Sequence, residues 1–179
     1  MPRLFTGLEI PQAVADSLIR LQSGLRGARW ILPTDLHITL RFLGDVDATC
    51  AEEFHALLEA TRPRSPIAVT LDALASFGGD KPRAIIATVT ADAALTELQS
   101  EHERIAREAG ADPERRKFTP HVTLGRLRRD VTAPDVALYL EECGLFTPLR
   151  FTAARVALFS ARDSTGGGPY VVEAAYPLG

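Results

Sequence analysis

Two tetrapeptides carry the side chains best suited to chemistry: His37-Ile38-Thr39-Leu40 and His121-Val122-Thr123-Leu124. Both read H-x-T-L with a β-branched residue at x. In an extended chain, successive side chains point to opposite faces. Each stretch therefore presents one imidazole beside one hydroxyl, with two apolar side chains turned into a core behind them. Imidazole moves protons near neutral pH. A threonine hydroxyl donates to a phosphate oxygen. Two such pairs facing one another can surround a tetrahedral phosphorus. Opening a cyclic phosphodiester with water uses that symmetry. One group takes a proton from the water, and a group on the opposite side gives one to the leaving oxygen. One neutral and one protonated histidine supply both, while hydroxyls and a cation hold the non-bridging oxygens without a metal. A single H-x-T arises by chance; two at equivalent places in a duplicated chain are far more specific.

The elements that must position these residues follow from hydrophobic period and breakers. Strands are predicted over 3–10, 36–43, 67–74, 83–90, 121–127, 151–159 and 170–176, with a short extended piece at 30–32. Helices are predicted from Pro11 through Val14, Leu18, Leu21 and Leu25, then over 48–62 (closed by Pro63), from Leu95 to Ala109, and over 133–143. Gly166-Gly167-Gly168-Pro169 reads as a flexible turn. Each half runs strand, helix, histidine-bearing strand, helix, strand. Arg3 matches Arg83, His37 matches His121 and Ile67 matches Phe151, at offsets of roughly 80 residues. The expected fold is α+β and bilobal. Its lobes, approximately 1–76 and 77–179 by the repeat and open to strand exchange, are related by a pseudo-two-fold axis and form one compact unit. Each has an antiparallel sheet flanked by helices, and the cleft lies between the sheets.

Composition narrows the alternatives. The 179 residues are 46% hydrophobic and 24% charged, with a formal net charge of −3. That suits a globular core without staples. The opening apolar run is too short and interrupted for a signal sequence, and no long apolar span follows, so a soluble, cytoplasmic monomer without a membrane partner is expected. Cys50 and Cys143 read as buried free thiols. His102 reads as half-buried helix packing and His55 as a surface residue. Neither has a partner at metal-ligand spacing, and no P-loop or G-x-G-x-x-G is present, so no metal or cofactor is expected. From residue 115 to 129 the chain carries Arg115, Arg116, Lys117, Arg126, Arg128 and Arg129 and no acid, bracketing His121. Such a local field draws a polyanion to a weakly acidic protein.

The chain resembles the 2H phosphoesterase superfamily, and within it the LigT-like RNA 2′,3′-cyclic phosphodiesterases. The likeness begins at Leu4-Phe5-Thr6-Gly7-Leu8-Glu9-Ile10-Pro11 and continues through Ala28-Arg29-Trp30. It takes in Leu36-His37-Ile38-Thr39-Leu40-Arg41-Phe42-Leu43-Gly44 and Phe118-Thr119-Pro120-His121-Val122-Thr123-Leu124-Gly125-Arg126, and reaches Leu158-Phe159-Ser160. It implies metal-independent hydrolysis of an RNA or nucleoside 2′,3′-cyclic phosphate to a 2′-phosphomonoester. It also implies the reverse joining of tRNA halves by 2′,5′ bonds. His37 and His121 would be the proton-transfer pair, with Thr39 and Thr123 on the phosphate. The family arginine falls on Arg126. Strict alternation from His121 puts Arg126 on the wrong face, so a bulge beside Gly125 is needed to re-aim it. Arg41 shares parity with His37 and would reach the cleft rim. Phe42 matches a position near the nucleoside, and Tyr170 or Trp30 could stack on a base. Two rivals remain: a non-catalytic RNA- or nucleotide-binding module, and another 2H activity on ADP-ribose cyclic phosphate, 2′,5′-oligoadenylate or RNA 3′ ends.

Overall fold

A computed structural model describes residues 3–62, 64–161 and 168–178. Strand β1 (Arg3–Glu9) leads to α1 (Gln12–Ile19), β2 (Ala28–Trp30), a single 3-10 turn at Pro33–Asp35 and β3 (His37–Asp45). Then come α2 (Ala48–Glu59), β4 (Ile67–Phe77), β5 (Ala84–Val89), α3 (Ala93–Glu108), β6 (His121–Leu127) and α4 (Ala133–Cys143). The chain closes with β7 (Leu149–Ala153), β8 (Arg155–Ser160) and β9 (Val171–Pro177). The starts of α2, α3 and α4 are capped by side chains: Asp47 accepts from the Cys50 amide, Asp92 from Leu95, and Thr132 and Asp135 form a reciprocal capping box.

Several boundaries differ from the sequence reading: β2 lies at 28–30 rather than 30–32, and α2 ends at Glu59 rather than at residue 62. α1 stops at Ile19 rather than reaching Leu25: the Leu21 and Gln22 amides bond to the Leu18 and Ile19 carbonyls, a tightened last turn, and Gly24 then takes φ +83°. β4 runs on past Leu74 to Phe77. The span read as one strand over 151–159 is two, broken at Ala154, because β7 pairs with β4 while β8 pairs with β1. Gly166 and Gly167 of the glycine-rich turn, and Pro63, lie outside the described residues. Cys50 and Cys143 are free thiols, but half-buried rather than buried.

The described strands form one antiparallel sheet in the order β7-β4-β5-β6-β3-β1-β8-β9, with β2 added on β6. Its two halves do not coincide with the two halves of the chain. β4 pairs with β5 and β7, whereas β8 and β9 lie beyond β1. The helices are exchanged in the same way, since α3 packs on β3 while α1 packs on β7. The division near residue 76 is therefore one of sequence, and in space the repeats interleave. The halves of the sheet meet at β3 and β6 through a single pair, Ile38 with Val122. Ile38, Leu40, Val122 and Leu124 are buried in the main core. A second, smaller cluster of Phe5, Ala157, Phe159 and Ala161 packs under Tyr170 beside His37.

The β1–β3 contact tolerates no side chain at Gly7. A Cβ there would lie 2.6 Å from the Ile38 carbonyl oxygen. Gly7→Ala is expected to lower stability by about 1–3 kcal/mol through overpacking, read as a fall in denaturant midpoint at unchanged m-value.

Candidate functional site

Position begins with the seam. His37 and Thr39 flank Ile38, and His121 and Thr123 flank Val122. Continuing the antiparallel pairing of Ile38 with Val122 sets His37 across from Thr123, and Thr39 across from His121. All four side chains are half-buried, while the residues between them are buried. The four groups thus sit on the face opposite the core.

Hydrogen bonds fix how the rings point. His37 Nδ1 lies 2.8 Å from the Asp35 carbonyl oxygen, and His121 Nδ1 lies 2.7 Å from that of Thr119. A carbonyl oxygen only accepts, so each Nδ1 carries a proton and each neutral ring keeps its lone pair on Nε2. Thr39 Oγ1 lies 3.0 Å from His37 Nε2 and donates to it while the ring is neutral.

The two rings are not equivalent. His37 is enclosed by Phe5 (centroids 4.8 Å apart), Phe159 (5.6 Å) and the edge of Tyr170 (5.1 Å). His121 meets one aromatic, Phe77, edge-on at 4.7 Å. Burial lowers the pKa of His37 to about 4; the positive charges of His121 and Arg126 act in the same direction, and the Asp35 carbonyl opposes them. The pKa of His121 is also lowered, first by burial and then by Arg126.

Two cavities meet here. One of about 520 Å³ has His121, Thr123, Phe77, Arg83, Arg116 and Lys117 in its wall. The other, of about 180 Å³, is lined by Arg3, Phe5, His37, Ala161 and Tyr170. Thr39, Phe42 and Arg126 border both, so the cavities share a waist.

Arg126 arrives at that waist through a bulge. β5 pairs Ile86 with Thr123 but Ile85 with Gly125, leaving Leu124 as an extra residue. The same irregularity occurs in β3. β1 pairs Gly7 with Thr39 and Thr6 with Arg41, leaving Leu40 as the extra residue. The leucine of each H-x-T-L is thus a bulge, and the residue five after each histidine returns to the histidine face. That residue is Phe42 in one half and Arg126 in the other, and both are exposed.

The bulge also moves Arg41. Simple alternation brings it to the cleft rim. Instead its side chain is only 5% exposed, paired with Glu103 at 2.5 Å and bonded to the Phe42 and Asp112 carbonyls. It still borders the larger cavity, but its guanidinium is committed to the segment after α3. Glu103 also accepts from the Glu114 amide, extending the same clamp to the loop that carries Arg116. Trp30 is likewise placed elsewhere: it lies over Gly125, where a Cβ would be 2.6 Å from its ring, and packs on Tyr139. Tyr170 borders the smaller cavity, and its amide donates to Asp35. His102 is buried rather than half-buried, hydrogen-bonded to Thr6 Oγ1. His55 is bonded to the Tyr176 hydroxyl, with its side chain 42% exposed.

Phe5, Phe77 and Arg83 join the site without a sequence signal that singled them out. Phe77 lies in the part of β4 past the predicted end. Arg83 was legible only as the repeat partner of Arg3, and both residues border the paired cavities. Among the described residues, no three His, Cys, Asp or Glu side chains gather to hold a metal ion, and no helix is long and apolar enough to cross a membrane.

An antiparallel α+β frame thus sets two histidines, two threonines and an arginine along a pair of joined cavities. The chain belongs to the 2′-5′ RNA ligase superfamily, the group also known as 2H phosphoesterases, whose family model matches residues 11–165. It is 29% identical over 130 residues to the RNA 2′,3′-cyclic phosphodiesterase of Bacillus subtilis (strain 168), covering 70% of this chain and 71% of that one. It is 35% identical over 112 residues to the protein of that name from Aeropyrum pernix, covering 62% and 63%. Its fold matches that of TT0787 of Thermus thermophilus with a TM-score of 0.80, at 24% identity over 98% of this chain and 97% of that one. The fold of E. coli LigT complexed with 3′-AMP matches with a TM-score of 0.77, at 21% identity over 99% of both chains.

Proposed function

We propose that this protein hydrolyses the 2′,3′-cyclic phosphate of an RNA end or a nucleoside to the 2′-phosphomonoester, using His37 and His121 as its proton-transfer pair. The observation that carries this reading is the common anchoring of the two rings. Each is held by Nδ1 on a backbone carbonyl, which turns Nε2 toward the site, where that of His37 meets Thr39, and both rings border cavities that share one waist. Relatives named for this activity support it.

We infer an orientation from the two cavities. The small aromatic one beside His37 suits a nucleoside, with Phe42 and Tyr170 against the base and ribose. The larger one beside His121 admits water. Water then attacks phosphorus from the His121 side and gives its proton to Nε2 of His121. The bond from phosphorus to O3′ breaks, and Nε2–H of His37 donates to the departing O3′. Thr39, Thr123 and Arg126 hold the non-bridging oxygens, where negative charge grows in the transition state. Run in the same direction with an RNA 5′-hydroxyl in place of water, the same steps join ends through a 2′,5′ bond. The interleaved lobes act as a single unit, since each contributes one histidine and one threonine.

The direct test is incubation with 2′,3′-cyclic AMP in EDTA and identification of the product. 2′-AMP is expected. 3′-AMP would reverse the assigned orientation, and no turnover would favour a binding module.

A pH profile gives a second expectation. Below the lower histidine pKa both rings are charged and no base remains. Above the higher pKa both are neutral and no acid remains. Both values are lowered in the free protein, so kcat/KM should follow a bell whose two limbs lie below the ordinary histidine value of about 6.5. Substrate phosphate stabilises both imidazolium forms, so the limbs of kcat should lie at higher pH than those of kcat/KM. Limbs of kcat/KM above neutrality would contradict the burial that sets these values.

A further inference from the structure

Asp35 is a buried carboxylate beside the site that the proposed reaction does not use. It ends the 3-10 turn before β3 and is only 7% exposed. Its main chain serves His37, whose Nδ1 donates to the Asp35 carbonyl at 2.8 Å. Its side chain serves a distant part of the chain. Oδ1 accepts from the Tyr170 amide at 3.2 Å, across 135 positions of sequence. Oδ2 lies against Gly168, where a Cβ would overlap it. Gly168 also takes φ +103°, a backbone that other residues rarely adopt. Residues 168–170 therefore close onto the carboxylate, and the Tyr170 ring stands edge-on to His37 and to Phe5, with centroids 5.1 Å from each.

A buried carboxylate is costly unless it is hydrogen-bonded. Ionised, it only accepts, and a main-chain amide is a donor that suits it. Asparagine there would keep one acceptor, put a donor in place of the other and remove the charge. The anchor of His37 does not require an acid at position 35, since any residue offers a carbonyl. The segment held by the side chain does. What that segment adds to the site is Tyr170, which borders the small cavity with Phe5, Phe42 and His37.

We propose that Asp35 is a positioning residue, whose carboxylate fixes residues 168–170 so that Tyr170 walls the nucleoside cavity over His37. One residue then sets both sides of that cavity, the imidazole through its main chain and the aromatic wall through its side chain. The assignment rests on the cyclic-phosphate reading above and deepens it at the same site.

The experiment follows turnover of 2′,3′-cyclic AMP and the NMR titration of His37 in wild type, D35N, Y170A and D35N/Y170A. D35N keeps the main-chain anchor of His37, so kcat should stay within about threefold while KM rises about five- to fiftyfold, the range for losing an aromatic contact to a base. Y170A should do the same. The double variant should be no worse than Y170A, because both changes act through one ring.

The titration separates enclosure from charge. His37 is faced by His121 and Arg126 on β6, by Asp35 and by the Tyr170 phenol; on β1, Arg3 is paired with Asp45 and Glu9 with Arg155. Burial is the largest influence and lowers the pKa of His37 to about 4, while the Asp35 charge is the smallest and acts upward. Loss of that charge alone would lower the value further. Release of Tyr170 exposes the ring and raises it. A rise is therefore expected in D35N and Y170A alike. A His37 pKa that fails to rise in D35N, an unchanged KM, or additive losses in the double variant overturns the inference while the functional reading stands. Should D35N not fold, G168A displaces the carboxylate with its charge intact, and the same rises in KM and pKa are required of it. A wild type that turns over no cyclic nucleotide removes the functional reading, and the titration, which needs no substrate, then decides the positioning role by itself.

Discussion

Alanine at His37 or His121 should each cost about 10²- to 10⁴-fold in kcat/KM on 2′,3′-cyclic AMP, the range for a positioned general acid or base. Neither ring belongs to the main apolar core, and among the described residues each bonds to a neighbouring carbonyl or threonine, so circular dichroism should stay close to wild type in both, with a modest fall in thermal midpoint in His37→Ala, whose ring packs on Phe5 and Phe159. The double variant should lose little more than the worse single one, since half of an acid–base pair has little left to do. The roles separate with a substrate whose leaving group needs no proton. On a nucleoside 2′-(4-nitrophenyl phosphate) the acid is dispensable and the base is not. His37→Ala should then recover to within about tenfold of wild type, while His121→Ala should not. Recovery in His121→Ala instead would exchange the two roles. Full turnover of the cyclic nucleotide in either variant at matched folding would remove the pair from the mechanism.

What could be read from sequence was whatever depends on strict periodicity. Alternation is enough to put His37 with Thr39 and His121 with Thr123, and buried Ile38 and Val122 lie between them as that period requires. The duplication brings the two stretches together because equivalent strands meet at the pseudo-two-fold seam. Periodicity fails where one residue is added. At Leu40 and Leu124 the ladder slips, and every inference by parity beyond that point inverts. This is why parity alone turns Arg41 to the cleft and Arg126 away from it. Parity misplaces Arg41, the bulge expected beside Gly125 re-aims Arg126, and both follow from the same slip, since Phe42 and Arg126 occupy the same offset from their histidines. Strand exchange was hidden for a different reason. Hydrophobic pattern says that Ile67, Val69 and Leu71 face a core, but not which neighbours they pair with. The long β4, and with it the Phe77 contact on His121, depends on the partner strand β5 holding Ala75 and Ser76 in register. Local propensity of such small residues does not call for a strand.

Arg126 should prove the most informative single position, because it borders both cavities and bears on both rings. Arg126→Ala should lower kcat/KM by about 10²- to 10³-fold, the cost of removing one preorganised donor from developing negative charge. Arg126→Lys should recover only part of this, since an ammonium keeps the charge but not the planar fork. A second consequence is independent of rate. Arg126 lowers the pKa of both His37 and His121 by its positive charge. Without it each imidazolium is stabilised relative to the neutral ring, so both pKa values rise. The whole bell of kcat/KM should therefore move to higher pH in Arg126→Ala and stay in place in Arg126→Lys. A residue that merely filled the bulge would change rate or stability without moving the limbs. An unmoved profile in Arg126→Ala would place the guanidinium away from the imidazoles, and with it would fall the view that the Leu124 bulge exists to bring that charge to the phosphate.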